Sequence, residues 1–265
     1  MDPYIPFCGT PPTPQELLSR WLFDPALLAG LALFGIVLMW RAPNRLSFAG
    51  WSLVALLFIS PLCALSMSLF SARVAQHILL TLVAAPVLAL AWPLVSRRIP
   101  GQTWIAAASF AALFWLWHSP LPYAATLQSD LTYWLMHLSL IGAAWWLASN
   151  LVASLATQPG QGVLALACTA GQMTLLSAIL LFSTTAWHPW HEITAAPYGL
   201  TALADQQLAA AMMWAGGGAL ILLSVGLLAY RFVVPGELCA TRRTIGRMEL
   251  PTSPKVGASN AREGA

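Results

Sequence analysis

The stretch "LTYWLMHLSLIGAAWWLASNLVASLATQPGQGVLALACTAGQMTLLSAILLFSTTAWHPWH", residues 131–191, contains no Asp, Glu, Lys or Arg. A helix needs about 20 apolar residues to cross the hydrocarbon core of a bilayer, so this stretch has room for two crossings. Within lipid, only a helix satisfies its own backbone hydrogen bonds inside a single segment. The stretch therefore predicts a pair of membrane-spanning helices.

The rest of the chain continues this pattern of long apolar segments separated by isolated charges. Hydrophobic residues make up 58% of the 265 residues, and charged residues make up only 8%. Soluble domains carry about 25% charged residues, so this composition excludes an ordinary soluble protein. We predict an all-α polytopic membrane protein, a bundle of seven transmembrane helices at residues 22–40, 46–66, 74–95, 102–118, 131–153, 162–186 and 205–231.

The two ends of the chain differ in composition from the transmembrane domain, which we place at residues 22–231. Residues 1–21 are predicted to form a Pro-rich outer tail, and they lack the basic start and apolar centre of a cleavable signal peptide. Residues 232–265 are predicted to form a polar, basic and disordered cytoplasmic tail.

The positions of the basic residues predict the orientation, because Lys and Arg favour the cytoplasmic side of a membrane. With the C-terminus inside, ten of the twelve basic residues lie in the cytoplasm, and only Arg20 and Arg73 lie outside. The opposite orientation places ten outside. We therefore predict a multi-pass protein of the inner (plasma) membrane, with the N-terminus out and the C-terminus in.

All five histidines fall in the outer half of this predicted topology. Ionisable groups in membrane helices are costly and usually face the bundle interior. Imidazole is a common metal ligand, and imidazole together with methionine sulfur suits copper, particularly Cu(I). The candidate metal ligands are His77, His118, His137, His188, His191, Met136 and Asp205.

Ordinary structural roles compete with metal binding at each position. A single His near a helix end is as often a hydrogen-bonding group at the membrane interface, and Met136 is more often a packing residue than a ligand. Asp205 precedes an apolar run, where a carboxylate can cap a helix. The His-x-x-His spacing in "HPWHE", residues 188–192, is interrupted by Pro189. The cysteines form no CxxC motif, so they support neither thioredoxin-like redox chemistry nor a paired-thiol copper site.

Three blocks of this sequence resemble the signature blocks of the CtaG-type cytochrome c oxidase assembly factors. They are "SPLCALSMSLFSARVAQHILLTLVAAPVLALAWP" (60–93), "WHSPLPYAATLQSDLTYWLMHLSLIGAAWW" (117–146) and "DQQLAAAMMWAGGG" (205–218). The resemblance implies an integral membrane protein, not an enzyme, that delivers or inserts copper at the CuB centre of the oxidase catalytic subunit.

The resemblance also implies roles for particular residues. His118 matches the His of the family's Trp-His-x-Pro motif, and Asp205 matches the Asp of its Asp-Gln-Gln motif. His77 and His137 match two further family histidines. The family often carries another His four residues before the one matching His77, but this chain has Arg73, which cannot ligate a metal. We hypothesise that His188 or His191 compensates.

These observations favour a copper metallochaperone for oxidase assembly, with the oxidase catalytic subunit, membrane lipid and another copper chaperone as candidate partners. We expect no nucleic-acid partner. A haem-binding membrane cytochrome with His77 and His137 as ligands, a copper transporter and a structural scaffold that binds no metal remain alternatives at this point. The lack of ionisable groups in the inner halves of the helices argues against a transporter.

Overall fold

The computed structural model describes residues 4–94, 101–220, 222, 223 and 226 of the chain. These residues form helices and connecting turns, with no strand among them, which confirms the all-α fold class. The helices are α1 (Pro25–Arg41), α2 (Arg45–Ile59), α3 (Pro61–Ser68), α4 (Phe70–Ala91), α5 (Gln102–His118), α6 (Pro120–Thr126), α7 (Asp130–Thr157), α8 (Pro159–Leu181), α9 (His191–Thr194) and α10 (202–220). Short 3-10 turns lie at Leu17–Ser19 and Ala196–Tyr198.

Polar side chains fix the starts of the first two long helices. The Asp24 carboxylate accepts a hydrogen bond from the Leu27 amide at 2.8 Å, and the Asn44 side chain accepts one from the Ser47 amide at 2.9 Å. Each bond satisfies an amide that has no partner inside the helix. The helices therefore start at these caps rather than where the apolar runs begin.

The second predicted span is broken in the middle. α2 and α3 meet at an angle of 49°, because Pro61 has no amide hydrogen and excludes the helical conformation at the residue before it. Ser60 is accordingly extended, with ψ at 165°. The break redirects the chain across one end of the bundle.

The fourth helix contains a π-helical segment at Leu79–Ala84, which begins two residues after His77. Pro86 lies two residues after this segment, and its ring crowds the carbonyl one turn earlier while its nitrogen donates no hydrogen bond. A widened turn relieves this conflict, and such π segments often lie at functional sites.

The longest helix, α7, forms the centre of the bundle and packs against α4, α5, α6 and α8, whereas α1 packs on α2. At Gly217, α10 approaches α8 closely, since a Cβ atom there would lie 2.8 Å from Thr174 Oγ1 and 3.3 Å from the Ala170 carbonyl oxygen. Small residues at such crossings let helix backbones approach one another.

Several helices fit a membrane protein. Within the described ranges, α4, α7 and α8 are long and apolar enough to cross a bilayer, and the bent pair α2–α3 makes a fourth if it counts as one span. α1 is apolar but has only 17 residues. The prediction of seven spans stays a prediction. The end of the predicted span 205–231 and the predicted tail 232–265 lie largely outside the described residues.

The N-terminal segment is attached to the bundle. A disulfide joins Cys8 to Cys63 on α3, with their Cα atoms 5.5 Å apart. The Pro12 carbonyl oxygen accepts hydrogen bonds from the hydroxyls of Ser68 (2.9 Å) and Tyr198 (3.0 Å). The sequence lacks a short cysteine motif because the two cysteines are 55 residues apart. The described part of the predicted tail is thus a structured cover over one end of the bundle.

We expect the double variant Cys8→Ser/Cys63→Ser to unfold at a lower temperature than the wild type. Closing a loop of this length restricts the unfolded chain, which corresponds to about 2–4 kcal/mol of stability. Thermal unfolding in detergent, with and without reductant, measures the effect. Cys168→Ser, which removes the exposed free cysteine, is the matched control. Equal stability of the double variant and this control would contradict the expectation.

Candidate metal centre

Three imidazoles from three helices meet inside the bundle. His77 on α4, His118 at the end of α5 and His137 on α7 are all buried, with 6%, 2% and 1% of their surfaces exposed. The His77 ring centroid lies 5.8 Å from that of His118 and 5.2 Å from that of His137. The structure thus brings together three of the predicted ligands, and we call them the histidine cluster.

Backbone carbonyls orient two of these rings. His118 Nδ1 lies 2.7 Å from the Phe114 carbonyl oxygen, and His137 Nδ1 lies 3.0 Å from the Tyr133 carbonyl oxygen. Because a carbonyl only accepts, each Nδ1 donates, and a neutral ring then keeps its lone pair on Nε2. Metal-binding histidines are commonly held this way, with one nitrogen anchored and the other available.

Several nitrogens of the histidine cluster have no hydrogen-bonding partner among the described residues. Both ring nitrogens of His77 and Nε2 of His137 are buried and unpartnered. An unsatisfied buried polar group costs about 1–3 kcal/mol, so native proteins pair nearly all of them. Such nitrogens are the atoms through which an ion or ligand would bind.

Two methionines extend the cluster. A small cavity of about 10 Å³ is lined by His77 and His118 together with Met173 of α8 and Met213 of α10. This volume suits one water-sized species. Two imidazoles and two thioethers form a donor set for a soft metal ion. Met173 is not among the predicted ligands, because a methionine within an apolar helix has the same sequence pattern as a packing residue.

The donor set restricts the ions that the cavity suits. Across residues 4–94 and 101–220, no group of three or more His, Cys, Asp or Glu side chains is placed to hold a metal ion. A site built here therefore depends on methionine sulfur, which hard cations such as Mg²⁺ and Ca²⁺ do not favour. The residues present fit a soft ion such as Cu(I).

The structure places His191 apart from the cavity, with hydrogen-bonding partners at both ring nitrogens. Its Nε2 accepts from the Tyr123 hydroxyl at 2.7 Å, and its Nδ1 lies 3.0 Å from the Ser68 carbonyl oxygen. Burial lowers the pKa of His191 to about 4, so its ring is neutral at physiological pH. With both nitrogens engaged, His191 connects the loop before α10 to α3 and α6.

His188 is placed differently. Its ring is buried against the rings of Tyr123 (4.1 Å) and Phe70 (4.5 Å), and neither of its nitrogens has a partner within the described part of the chain. The Phe70 ring also lies 6.5 Å from His118. Burial lowers the pKa of His188 to about 3, with smaller contributions from His191, His118 and Arg73, so its ring is neutral and keeps one nitrogen lone pair available. The Phe70 ring thus contacts both His188 and the histidine cluster.

Asp205 acts as a helix cap. Its carboxylate is fully buried and accepts hydrogen bonds from the amides of Phe70 (2.6 Å) and Ser71 (3.1 Å) and from the Ser71 hydroxyl. These amides are the first two of α4, so Asp205 caps a helix other than its own. Its own helix, α10, is capped instead by Thr201, whose hydroxyl accepts from the Ala204 amide.

Gln206, which the sequence analysis did not select, organises the loop after α8. Its side-chain oxygen accepts from the Trp187 amide at 2.7 Å, and its nitrogen donates to the Leu180 carbonyl oxygen at 3.1 Å. Met136 is fully buried on α7 but lies outside the lining of the small cavity. Asp205 and Gln206 therefore hold backbone groups of neighbouring segments in place, whereas Met136 is a packing residue.

Arg73 is fully buried one helical turn before His77. Its guanidinium donates to the Thr126 hydroxyl at 3.1 Å and lies over the rings of Tyr123 and Tyr133, at 5.3 and 5.7 Å. No ion pair involves Arg73 in the described chain, where the salt bridge present joins Arg20 and Glu16. Cation–π contacts replace a carboxylate here, and a positive charge stands beside the histidine cluster.

These features define a helical membrane protein with a buried histidine–methionine cavity close to one end of its bundle. The sequence profile of the cytochrome c oxidase caa3 assembly factor family (Caa3_CtaG) matches residues 35–234, and the chain belongs to this family. Searches among curated proteins and among solved structures found no match. The matched range contains the whole histidine cluster and both cavity methionines, whereas Cys8 lies before it.

We expect Asp205→Ala to destabilise the protein by about 2–4 kcal/mol, because it leaves two backbone amides and a hydroxyl without an acceptor in a buried place. Thermal or denaturant unfolding measures this cost. Asp24→Ala removes a less buried cap from α1 and should cost only about 1 kcal/mol. If the two variants lose the same stability, the capping role of Asp205 is wrong.

Proposed function

We propose that this protein assists the assembly of cytochrome c oxidase by holding a copper ion in the histidine–methionine cavity and passing it to the CuB centre of the catalytic subunit. The observation that carries the proposal is the set of buried, unpartnered nitrogens on His77 and His137, next to a cavity lined by Met173 and Met213. Family membership supports the link to oxidase assembly.

The proposal includes a topology of seven spans with the N-terminus out and the C-terminus in. α1, α5 and α10 supply the crossings beyond α4, α7, α8 and the bent pair α2–α3. The Cys8–Cys63 disulfide supports an oxidising compartment on the N-terminal side, because disulfides persist in such compartments and are rare in the cytosol. The protein then lies in the plasma membrane with its histidine cluster near the outer surface.

Cu(I) is the cargo that the site favours. Neutral imidazoles and thioethers are soft ligands without charge, so they stabilise a monovalent soft ion better than a hard divalent one. The buried guanidinium of Arg73 adds to this preference. Its repulsion of a nearby divalent ion is twice its repulsion of a monovalent ion at the same distance.

The transfer requires only ligand exchange. Copper binds to the free lone pairs of His77 and His137 and to the methionine sulfurs, with no electron transferred and no proton released by a neutral ring. Each ligand is then replaced by one from the partner subunit. Thioethers are weak ligands, which keeps the affinity moderate and the exchange possible. We assign no catalytic residue, because no bond of an organic substrate is made or broken.

His188 is proposed as an earlier contact on the copper path. Both of its nitrogens are unpartnered, and its ring packs on Phe70, which also contacts His118. His191 has no free nitrogen to offer. Copper then arrives from the side of the loop before α10, either directly or from another copper chaperone.

The geometry disfavours haem binding at this place. The rings of His77 and His137 lie edge to face at 5.2 Å, and the cavity beside them holds about 10 Å³. A porphyrin between two axial imidazoles requires far more space than this.

We expect Met173→Leu/Met213→Leu to bind Cu(I) at least tenfold more weakly than the wild type, because two soft ligands become hydrocarbon of similar volume. Competition with a chromogenic Cu(I) chelator measures the affinity. Met136→Leu, a buried position outside the cavity lining, should leave it unchanged. The triple variant His77→Ala/His118→Ala/His137→Ala should lose the metal. Copper retained by that triple variant would contradict the site.

The function itself is tested in cells that carry His118→Ala. Oxidase activity should fall while cellular haem content stays near normal, since only copper delivery is affected. His188→Ala should slow copper loading, whereas His191→Ala should act through stability alone. Undiminished copper binding by the double variant His188→Ala/His191→Ala would remove the proposed path but leave the histidine cluster in place.

The topology is tested with two exposed positions at opposite ends of α7. We expect Gln128→Cys, in a Cys168→Ser/Cys239→Ser background, to react with an impermeant maleimide added to intact cells. Gln158→Cys should react only after the membrane is opened, because the 28 residues of α7 span about 42 Å. Labelling of position 158 but not of position 128 in intact cells would invert the orientation.

A further inference from the structure

A second, larger cavity lies between α1, α2 and α7. Its volume is about 440 Å³, within the range of small-molecule sites. Its lining is almost entirely apolar and comes from the three helices and from Phe7 of the N-terminal segment. It also touches the His137 ring, which belongs to the histidine cluster. We call it the lateral cleft.

Two glycines keep the lateral cleft open. Gly30 on α1 and Gly142 on α7 both line it, and a Cβ atom added to either would meet nothing within 4 Å. Glycine weakens a helix relative to alanine, so its presence in a helix needs a reason. At Gly50 the reason is packing, because a Cβ there would lie 2.7 Å from the Leu88 side chain. At Gly30 and Gly142 an added Cβ would enter open space, so these two glycines leave room at the wall of the cleft.

Aromatic side chains close both ends of the lateral cleft. The Phe7 ring packs edge to face on Trp134 at 5.0 Å, and Phe7 is fixed by the neighbouring Cys8–Cys63 disulfide. At the other end, the Trp145 indole donates a hydrogen bond to the Trp92 carbonyl oxygen at 2.9 Å. Trp134 and Trp145 are separated by about 16 Å along α7. This length matches one leaflet, half of the hydrocarbon core of about 30 Å.

We propose that the lateral cleft holds one acyl chain of a bilayer phospholipid. Leu138 lines the cleft and is 61% exposed, so the cleft opens to the side of α7, where a membrane protein meets lipid. The apolar walls offer a head group little to bond to, which favours a chain as the occupant. The chain packs against the His137 ring and keeps it turned toward His77. This proposal does not depend on the copper proposal.

The test fills the lateral cleft without disturbing its surroundings. Gly30→Leu and Gly142→Leu place a side chain into the open space from opposite walls. Gly171→Leu on α8, where an added Cβ also meets nothing, is the matched control outside the cleft. The probe is a phosphatidylcholine with a diazirine in the middle of one chain, mixed into dioleoylphosphatidylcholine vesicles that contain the full chain.

After photolysis, mass spectrometry compares probe attachment within residues 134–145 with attachment within residues 164–179 of α8. In the wild type, we expect attachment at 134–145 to persist when the vesicles are replaced by detergent just before photolysis, whereas attachment at 164–179 disappears. Each cleft-filling variant should reduce the persistent attachment at least fivefold, and Gly171→Leu should not.

Two results would overturn the proposal. One is persistent attachment that is unchanged in either cleft-filling variant that folds. The other is loss of attachment at both segments alike on transfer to detergent, which indicates only the general lipid layer around the bundle. Thermal unfolding of each variant establishes that it is folded, and since the two glycines lie on different helices, either variant alone decides the matter.

Discussion

A polar group inside this bundle must find its partner within the protein, because neither lipid nor the apolar core supplies one. Many groups bond to a backbone carbonyl three or four residues earlier, and others find a partner remote in sequence. The Asp205 carboxylate takes the first two amides of α4, and Gln206 takes backbone groups of the loop after α8. The same rule makes the exceptions informative. Within the described residues, the buried side-chain groups without a partner lie on His77, His137, His188, Gln76, Gln172 and Thr174. Of these groups, the imidazole nitrogens are the atoms that a soft ion would use.

The fourth helix carries much of this arrangement along one length of chain. Its first turn is held by Asp205, its second contains the buried Arg73, and its third presents His77. The π-helical segment at Leu79–Ala84 follows at once. Asp205 caps the start of α4, and Pro86 accompanies the widened π-helical turn further along the helix. Together, these two features restrict rotation and sliding of α4. The position of His77 relative to His118 and His137 is therefore set by backbone features, with no hydrogen bond to its own ring.

The sequence was sufficient for features that repeat along the chain or reflect bulk chemistry. Long uncharged runs predicted an all-α membrane protein, and the shared side of the histidines predicted that His77, His118 and His137 would meet. Features that depend on one distant partner were not accessible. Cys8 and Cys63 are 55 residues apart, and the cap of α4 comes from residue 205. Met173 differs from a packing methionine only because it faces a cavity that histidines also line. Pro61 is a different case. Its effect on the conformation of the preceding residue could be predicted from the sequence, but the apolar residues around it favoured an unbroken span.

The histidine cluster and the lateral cleft share the His137 ring, and this shared ring connects the two proposals in energetic terms. Retaining unpartnered nitrogens and helix glycines lowers stability, and the chain offsets this loss with the disulfide, the Asp205 cap and the close crossing at Gly217. His137 Nδ1 is hydrogen-bonded to a carbonyl of its own helix. The cleft wall also limits rotation of the His137 ring about its side-chain bonds. An occupant of the cleft would reduce that freedom further. The lone pair on Nε2 would then already face His77, so copper binding would not carry the entropic cost of ordering the ring. In this way, a site with few and weak ligands could hold an ion long enough to transfer it.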